Sequence, residues 1–192
     1  MFFLEYIKNP RNVGAVKESS KYLAEEMLSN IDFEKAKFIV EYGSGNGAFT
    51  EKILARAKND TIIILIEINE VFFKRLDELY NHKENVIVLN ESAENIDKIL
   101  EKYSIKHVDY IICGLPFASL PEAVSNNILY KTSKIIRNKG KFVTFQYTLF
   151  KEKYIKKFFY NVNHKRVFRN LPPAYVLTCT DSTSECSSME IR

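Results

Sequence analysis

The sequence predicts an α/β fold, a doubly wound and mostly parallel sheet with helices on both faces, and three observations predict it. Short apolar runs alternate with helix-period segments from residue 37 onward. Runs such as "TIIILIE" are apolar at successive positions, so both faces of those strands need covering, as crossover helices cover a parallel sheet. After residue 160 the rhythm changes: "HKRVFRN" and "YVLTCT", joined by "LPPA", predict an antiparallel pair at the end of the sheet.

Taken in order, "KFIVEY" predicts a first strand near 37–42, followed by a glycine-rich turn and a helix near 48–58. "TIIILIE" predicts a strand over 61–67, then a helix over 70–81 and a strand over 85–90. The helix expected over 93–103 shows its period plainly, with Ile96, Ile99, Leu100 and Tyr103 at i, i+3, i+4 and i+7. A strand over 107–113, a helix over 121–138, a strand over 140–147 and a helix over 150–160 complete the alternation. At 192 residues, 46% apolar, the chain suffices for one core, so one domain is expected over 1–180. It opens with a helical segment over 1–30, expected to face substrate or membrane, and is followed by an aperiodic tail, "DSTSECSSMEIR", over 181–192.

Composition narrows the function classes. The longest apolar run, "IIILI", is far below the roughly 20 residues of a membrane-spanning helix, and Glu5 and Lys8 interrupt any secretory signal in "MFFLEYIKNP". A cytoplasmic protein is expected. Cys113, Cys179 and Cys186 form no C-x-x-C pair, so neither a disulfide framework nor a metal site is expected. The net charge of +4 conceals an asymmetry: 12 Lys/Arg face one acid, Glu152, between Lys131 and Arg169, which leaves −7 on the remainder. Such a cationic stretch suits a phosphate-bearing partner, nucleic acid or an anionic membrane surface.

Three of six glycines, Gly43, Gly45 and Gly47, fall within "GSGNG", between the first strand and the helix after it. Glycine there permits positive φ and lets a ligand approach the main chain, at the strand ends where open α/β sheets bind ligands. Glu67 stands 20 residues beyond Gly47 at the end of the second strand, placed to accept from both ribose hydroxyls of a nucleoside. Glu41, at the tip of the first strand, would repel a pyrophosphate and favour a cationic ligand such as the amino group of a methionyl moiety. An adenosine joined to an amino acid satisfies both acids. Tyr130 and Lys134 of "YKTSK" match the Y-x-x-x-K spacing of short-chain dehydrogenases, but the glycine spacing does not, and hydride transfer is set aside.

"VEYGSGNGAFT", "LIEIN", "LNESAEN" and "IICGLPF" together resemble the first four motifs of the class I S-adenosylmethionine-dependent methyltransferases, in order and at the right strand ends. The resemblance implies a Rossmann-like seven-stranded sheet with an antiparallel final strand, and S-adenosylmethionine as cofactor. It places Glu41, Gly43, Gly45 and Gly47 along the methionine and ribose. Glu67 would hold the ribose hydroxyls, Ile68 would flank the adenine, and Ser92 and Ala93 would meet its edge, with Cys113 beside them. Many relatives carry an aspartate where Ser92 stands.

Two branches of that family are similar to this chain. The ribosomal RNA adenine dimethyltransferases place an Asn before the Leu-Pro of the fourth motif, and here Gly114 stands there. The bacterial phospholipid N-methyltransferases, which act on phosphatidylethanolamine, resemble it in "NPRNVGAVKESSKYLAEEM", "GLPF", "FQYT" and "NLPPA". The resemblance implies an aminophospholipid acceptor at an anionic membrane surface and a peripheral location at the inner face. An RNA adenine acceptor and a cofactor-binding protein without catalysis are the alternatives. By analogy Leu115, through its carbonyl, and Pro116 shape the amine pocket, while Phe117 and Tyr147 offer aromatic faces to a methylated amine. Glu91, His107 and Tyr147 are candidate bases. "FFLEYI" puts Phe2, Phe3, Tyr6 and Ile7 on one helical face, a membrane-facing or lid element with Tyr6 toward substrate. "FKEKYIKKFFY" fits either an interfacial helix or one packed on the sheet.

Overall fold

A computed structural model describes residues 16–181 of the chain. Its helices are α1 (Val16–Leu28), α2 (Ala48–Leu54), α3 (Glu70–Tyr80), α4 (Ile96–Lys102), α5 (Glu122–Ile135) and α6 (Glu152–Ile155). Its strands are β1 (Phe38–Tyr42), β2 (Ile62–Ile66), β3 (Val86–Leu89), β4 (Val108–Cys113), β5 (Ile136–Gln146), β6 (Asn161–Val167) and β7 (Ala174–Thr180). They form one seven-stranded sheet in the order β3-β2-β1-β4-β5-β7-β6. The first five strands of that order run parallel, and β7 is antiparallel to both β5 and β6. The chain winds outward from β1 to β3 and then crosses back to β4, so a crevice opens at the carboxyl ends of β1 and β4.

Alternate residues of each central strand enter different cores, which is why these runs are apolar throughout. Val40, Ile64 and Ile111 pack on one face with Ile96, Leu100, Ile128 and Leu129 of α4 and α5. Ile39, Ile63 and Ile112 pack on the other with Leu23 and Met27 of α1 and Ile53 of α2. All six positions of β4 are buried; each of its aliphatic side chains, Val108, Ile111 and Ile112, is worth about 1.5–3 kcal/mol relative to exposure.

Besides the helix expected near 48–58, which ends at Leu54, the boundaries depart from the sequence expectation at two further helices. The helix expected over 121–138 ends at Ile135, because Ile136 already bridges Val108; the ladder then shifts register before Lys141 meets Tyr110. The helix expected over 150–160 is a 3-10 turn, Leu149–Lys151, followed by the short α6. The chain leaves it so that Phe159, 3% exposed, can stack on Phe142 at 5.3 Å between centroids before β6 begins. Ile155 is also buried, so of the two readings of this stretch it is the core-packed one that fits. Of the helix expected within 1–30, the described part is α1, whose Leu23, Ala24, Met27 and Leu28 are buried against the sheet. Tyr6, the rest of "FFLEYI" and the tail beyond 181 lie outside the described residues.

Candidate active site

The glycine turn is built by backbone geometry that side chains resist. Gly43, Gly45 and Gly47 all have positive φ, of 67°, 54° and 85°. The Gly43 amide donates to the Ile66 carbonyl at 2.8 Å, and the Gly47 amide to Ser44 O at 2.9 Å, which closes the turn and starts α2. A Cβ on Gly43 would lie 2.7 Å from Leu115 Cδ2, and one on Gly114 would lie 2.9 Å from the Gly43 carbonyl oxygen. The turn after β1 and the turn after β4 therefore touch along glycine main chain. A Cβ on Gly45 would meet only Gly43 O, at 3.9 Å, so the middle of the turn is open toward a ligand.

Glu67, 6% exposed, closes the crevice from the end of β2. Its Oε2 accepts from the Gly45 amide at 2.8 Å and its Oε1 from the Asn69 amide at 2.8 Å. Two structural donors fix its plane and leave lone pairs for two vicinal hydroxyls. Asn90 Nδ2 donates to the Glu67 and Ile68 carbonyls at 2.9 and 3.2 Å, tying the end of β3 to the same corner. Asn69 caps α3 by accepting from the Val71 and Phe72 amides. Ile68 is 59% exposed on the lip. Ser92 Oγ accepts from Glu94 N at 3.2 Å, capping a short 3-10 turn that buries Ala93.

Glu41 is completely buried beneath the turn. Burial pushes its carboxyl up to about 8; the Thr50 hydroxyl, which donates to Oε2 at 2.6 Å, works against that shift, and the charge of Glu67 adds to it. Its Oε1 has no hydrogen-bond partner, and the Ser44 hydroxyl, likewise unpartnered, works weakly against the upward shift.

On the acceptor side, the Leu115 carbonyl accepts from Phe117 N at 3.1 Å, so one lone pair is occupied and one remains. Ser119 and Leu120 both donate to the Pro116 carbonyl, which rounds the turn toward α5. Phe117 corrects the sequence reading: it is 1% exposed and packs edge-on against Phe142 in the core, so its ring faces no substrate. Cys113 is likewise fully buried, its thiol pushed up to about 12 by burial, and its side chain belongs to the core. The aromatic row beside the crevice is Phe49, Phe145 and Tyr147, joined edge-to-face at 6.1 and 5.8 Å, with Phe49 3.8 Å from a Cβ at Gly114. Tyr147, 54% exposed, ends that row.

Of the candidate bases, His107 stands before β4, at the opposite edge of the sheet from Leu115. Glu91 follows β3 on the crevice edge and accepts from Asn95 Nδ2 at 2.9 Å. Two residues escaped sequence reasoning. Thr50, buried on α2 and bonded to Glu41, carries no signal beyond its place in "GAFT". Gln146, 7% exposed with its Nε2 unpartnered, ends β5 beside the fourth motif and is the polar centre of "FQYT". The cationic stretch is also not one patch: Lys131 pairs with Asp97, Lys156 with Glu152 and Lys165 with Glu26, on three different elements.

This geometry has a known counterpart. Residues 15–167 match the family described as ribosomal RNA adenine dimethylase. The chain belongs to that family. Within it and around it, curated relatives include the ornithine lipid N-methyltransferase of Singulisphaera acidiphila, 26% identical over 93% of this chain and 94% of that protein. The ribosomal RNA small subunit methyltransferase A of Mycoplasma capricolum is 25% identical over 59% of this chain, which spans only 40% of that protein's length. Solved structures share the fold. The 1,6-didemethyltoxoflavin-N1-methyltransferase of Burkholderia thailandensis superposes with a TM-score of 0.71 at 12% identity, covering 94% of this chain and 86% of that one. Phosphoethanolamine N-methyltransferase 1 of Haemonchus contortus gives 0.68 at 14% identity, covering 96% and 48%. The dimethylase-family chain is thus an S-adenosylmethionine-dependent methyltransferase. Its crevice fits that cofactor: an open glycine turn, a fixed acceptor carboxylate at Glu67 and an exposed apolar lip at Ile68.

Proposed function

We propose that the protein N-methylates the amine of a membrane lipid headgroup, such as phosphatidylethanolamine or an ornithine lipid. One observation carries this choice over RNA: Gly114 has no room for a side chain, since its Cβ would lie 2.9 Å from the Gly43 carbonyl oxygen. The Asn that the resemblance implies there in adenine-modifying enzymes would not be seated without moving the cofactor turn. The crevice loses that amide and keeps a carbonyl and aromatic edges, which suit a primary amine and its methylated products. A curated relative that matches along nearly its whole length, the ornithine lipid N-methyltransferase, supports the reading. The family match favours the second reading, RNA adenine, and the same experiment decides between them.

When bound, S-adenosylmethionine supplies a methyl group on a sulfonium sulfur that departs as a thioether. The protein's part is placement: the free lone pair of the Leu115 carbonyl accepts one amine hydrogen and aims the nitrogen lone pair, while Pro116 limits its sideways freedom. Phe145 and Tyr147 border the product cation. Held there, the amine nitrogen would receive the cofactor's methyl, and the extra proton of the product amine would leave to water.

The test is transfer of labelled methyl to vesicles of phosphatidylethanolamine, to ornithine-lipid vesicles and to protein-free ribosomal RNA at one salt concentration. Label in either lipid supports the proposal; label in RNA alone overturns it.

A further inference from the structure

Exposed apolar side chains gather on the edge of the sheet that holds the crevice. Tyr147 is 54% exposed, Phe150 85%, Phe168 71% and Leu171 71%. The register brings their origins together: Gln146 pairs with Tyr175 and Tyr175 with Arg166, so the ends of β5 and β6 flank the start of β7. Two strand spacings put the tip after β5 roughly 10 Å from the β6–β7 turn. Leu115 and Gly43 lie on the same edge, one and two strands further in from β5. Water-facing surfaces seldom collect this many large apolar groups unless something covers them.

The two tip segments themselves carry charges of one sign. The acids beside them, Glu152 after Lys151 and Glu25 and Glu26 of α1 in the pocket with Phe168 and Arg169, are paired with Lys156, Arg56 and Lys165. Neither 147–151 nor 165–173 contains an acid, whereas Lys151, Lys165, Arg166 and Arg169 are there. Arg166 lies over the rings of Phe168 and Tyr175, at 4.8 and 5.5 Å, and Arg169 over Tyr22 at 5.2 Å. Lys165 pairs with Glu26. Asn170, 3% exposed, donates from Nδ2 to the Pro172 carbonyl at 2.7 Å, so the turn that carries Phe168 and Leu171 is internally braced.

We infer that the two tips, Tyr147 with Phe150 and Phe168 with Leu171, form a docking surface for the anionic leaflet of a bilayer. Apolar points ringed by Lys and Arg match acyl chains below a layer of negative headgroups. Leu171 offers neither a π face nor a hydrogen-bonding group, so it has nothing to give an RNA strand, which would be held by stacking and phosphate contacts. Docked in this way, the crevice mouth faces the headgroup layer and the acceptor enters without leaving the membrane. This rests on the lipid reading for its purpose, though not for its test.

The full-length protein, without cofactor, is floated with vesicles of phosphatidylcholine alone and of phosphatidylcholine with phosphatidylglycerol, lipids that carry no primary amine. Wild type is expected to float with the anionic vesicles and far less with the neutral ones. The double variant Phe168→Ser/Leu171→Ser and, separately, Phe150→Ser should each weaken partition about tenfold or more. Arg169→Gln should weaken it with a shallower salt dependence. Unchanged S-adenosylhomocysteine affinity and melting temperature certify that the variants fold. Flotation of either apolar variant like wild type overturns the inference, as does loss of RNA-oligonucleotide binding by these variants when wild type ignores vesicles. Vesicle binding without methyl transfer to any lipid supports the docking surface and sinks the lipid-acceptor reading alone.

Discussion

The main-chain amide of Gly45 donates to Glu67 Oε2 at 2.8 Å. The carboxylate positioned for the cofactor ribose is therefore also the strut that holds the glycine turn open. Glu67→Gln should turn an amide NH2 group toward one of two main-chain donors that now meet carboxylate oxygens. S-adenosylhomocysteine affinity, measured calorimetrically, is expected to fall tenfold or more, about 1.4 kcal/mol or above.

Glu41 gives stability a slope in pH. Its folded carboxyl is raised to about 8 from an ordinary 4.5, so between those values the folded state holds a proton that the unfolded state has released. Stability from this group is complete below pH 4.5 and falls as pH rises toward 8, by up to about 1.4 kcal/mol per unit. Denaturant titrations from pH 5 to 8 should show that decline in wild type and a flatter profile in Glu41→Gln, which is neutral throughout.

Gly43→Ala places a methyl 2.7 Å from Leu115 Cδ2 at a φ of 67°. The backbone strain alone is about 1 kcal/mol. Adding Leu115→Ala should recover part of the loss, giving a positive coupling in a double-mutant cycle of melting temperatures. Additive losses would mean that φ, not the contact, dictates glycine there.

Gly114→Asn should lower both the melting temperature and the affinity for S-adenosylhomocysteine and confer no methylation of ribosomal RNA, because its Cβ meets main chain and not a flexible side chain. A gain of RNA activity would show that the turn after β4 can move aside.

The two aromatic candidates should separate cleanly. Phe117→Ala opens a cavity in the core beside Phe142 and should cost about 3–5 kcal/mol of folding stability. Tyr147→Ala removes an exposed ring and should leave stability within about 0.5 kcal/mol, while raising KM for a lipid amine several-fold.

Much of this architecture was legible in the sequence because the periods of β2, β4 and α4 are strong and the glycines of the turn can be explained in few other ways. Glu67 was found by its distance from Gly47, and the structure adds that its oxygens are held by Gly45 and Asn69. Phe117 and Tyr147 could not be told apart in advance, since an aromatic residue at a strand end reads the same whether it turns inward or outward. The short α6 was missed for a similar reason: Ile155 and Phe159 keep a helical spacing, but Phe159 reaches Phe142 only after the helix has ended. Gln146 and Thr50 are polar residues inside apolar packing, and only tertiary neighbours reveal that.

The contact between Gly43 and Gly114 gives the cofactor turn and the acceptor turn a shared wall. With main chain against main chain, a displacement of residues 114–117 by an incoming acceptor is felt directly by the turn that cradles the cofactor. Whatever factor the bound cofactor adds to acceptor affinity, the acceptor must return to cofactor affinity. Wherever that factor differs from one, inhibition by spent cofactor will depend on how much acceptor is present.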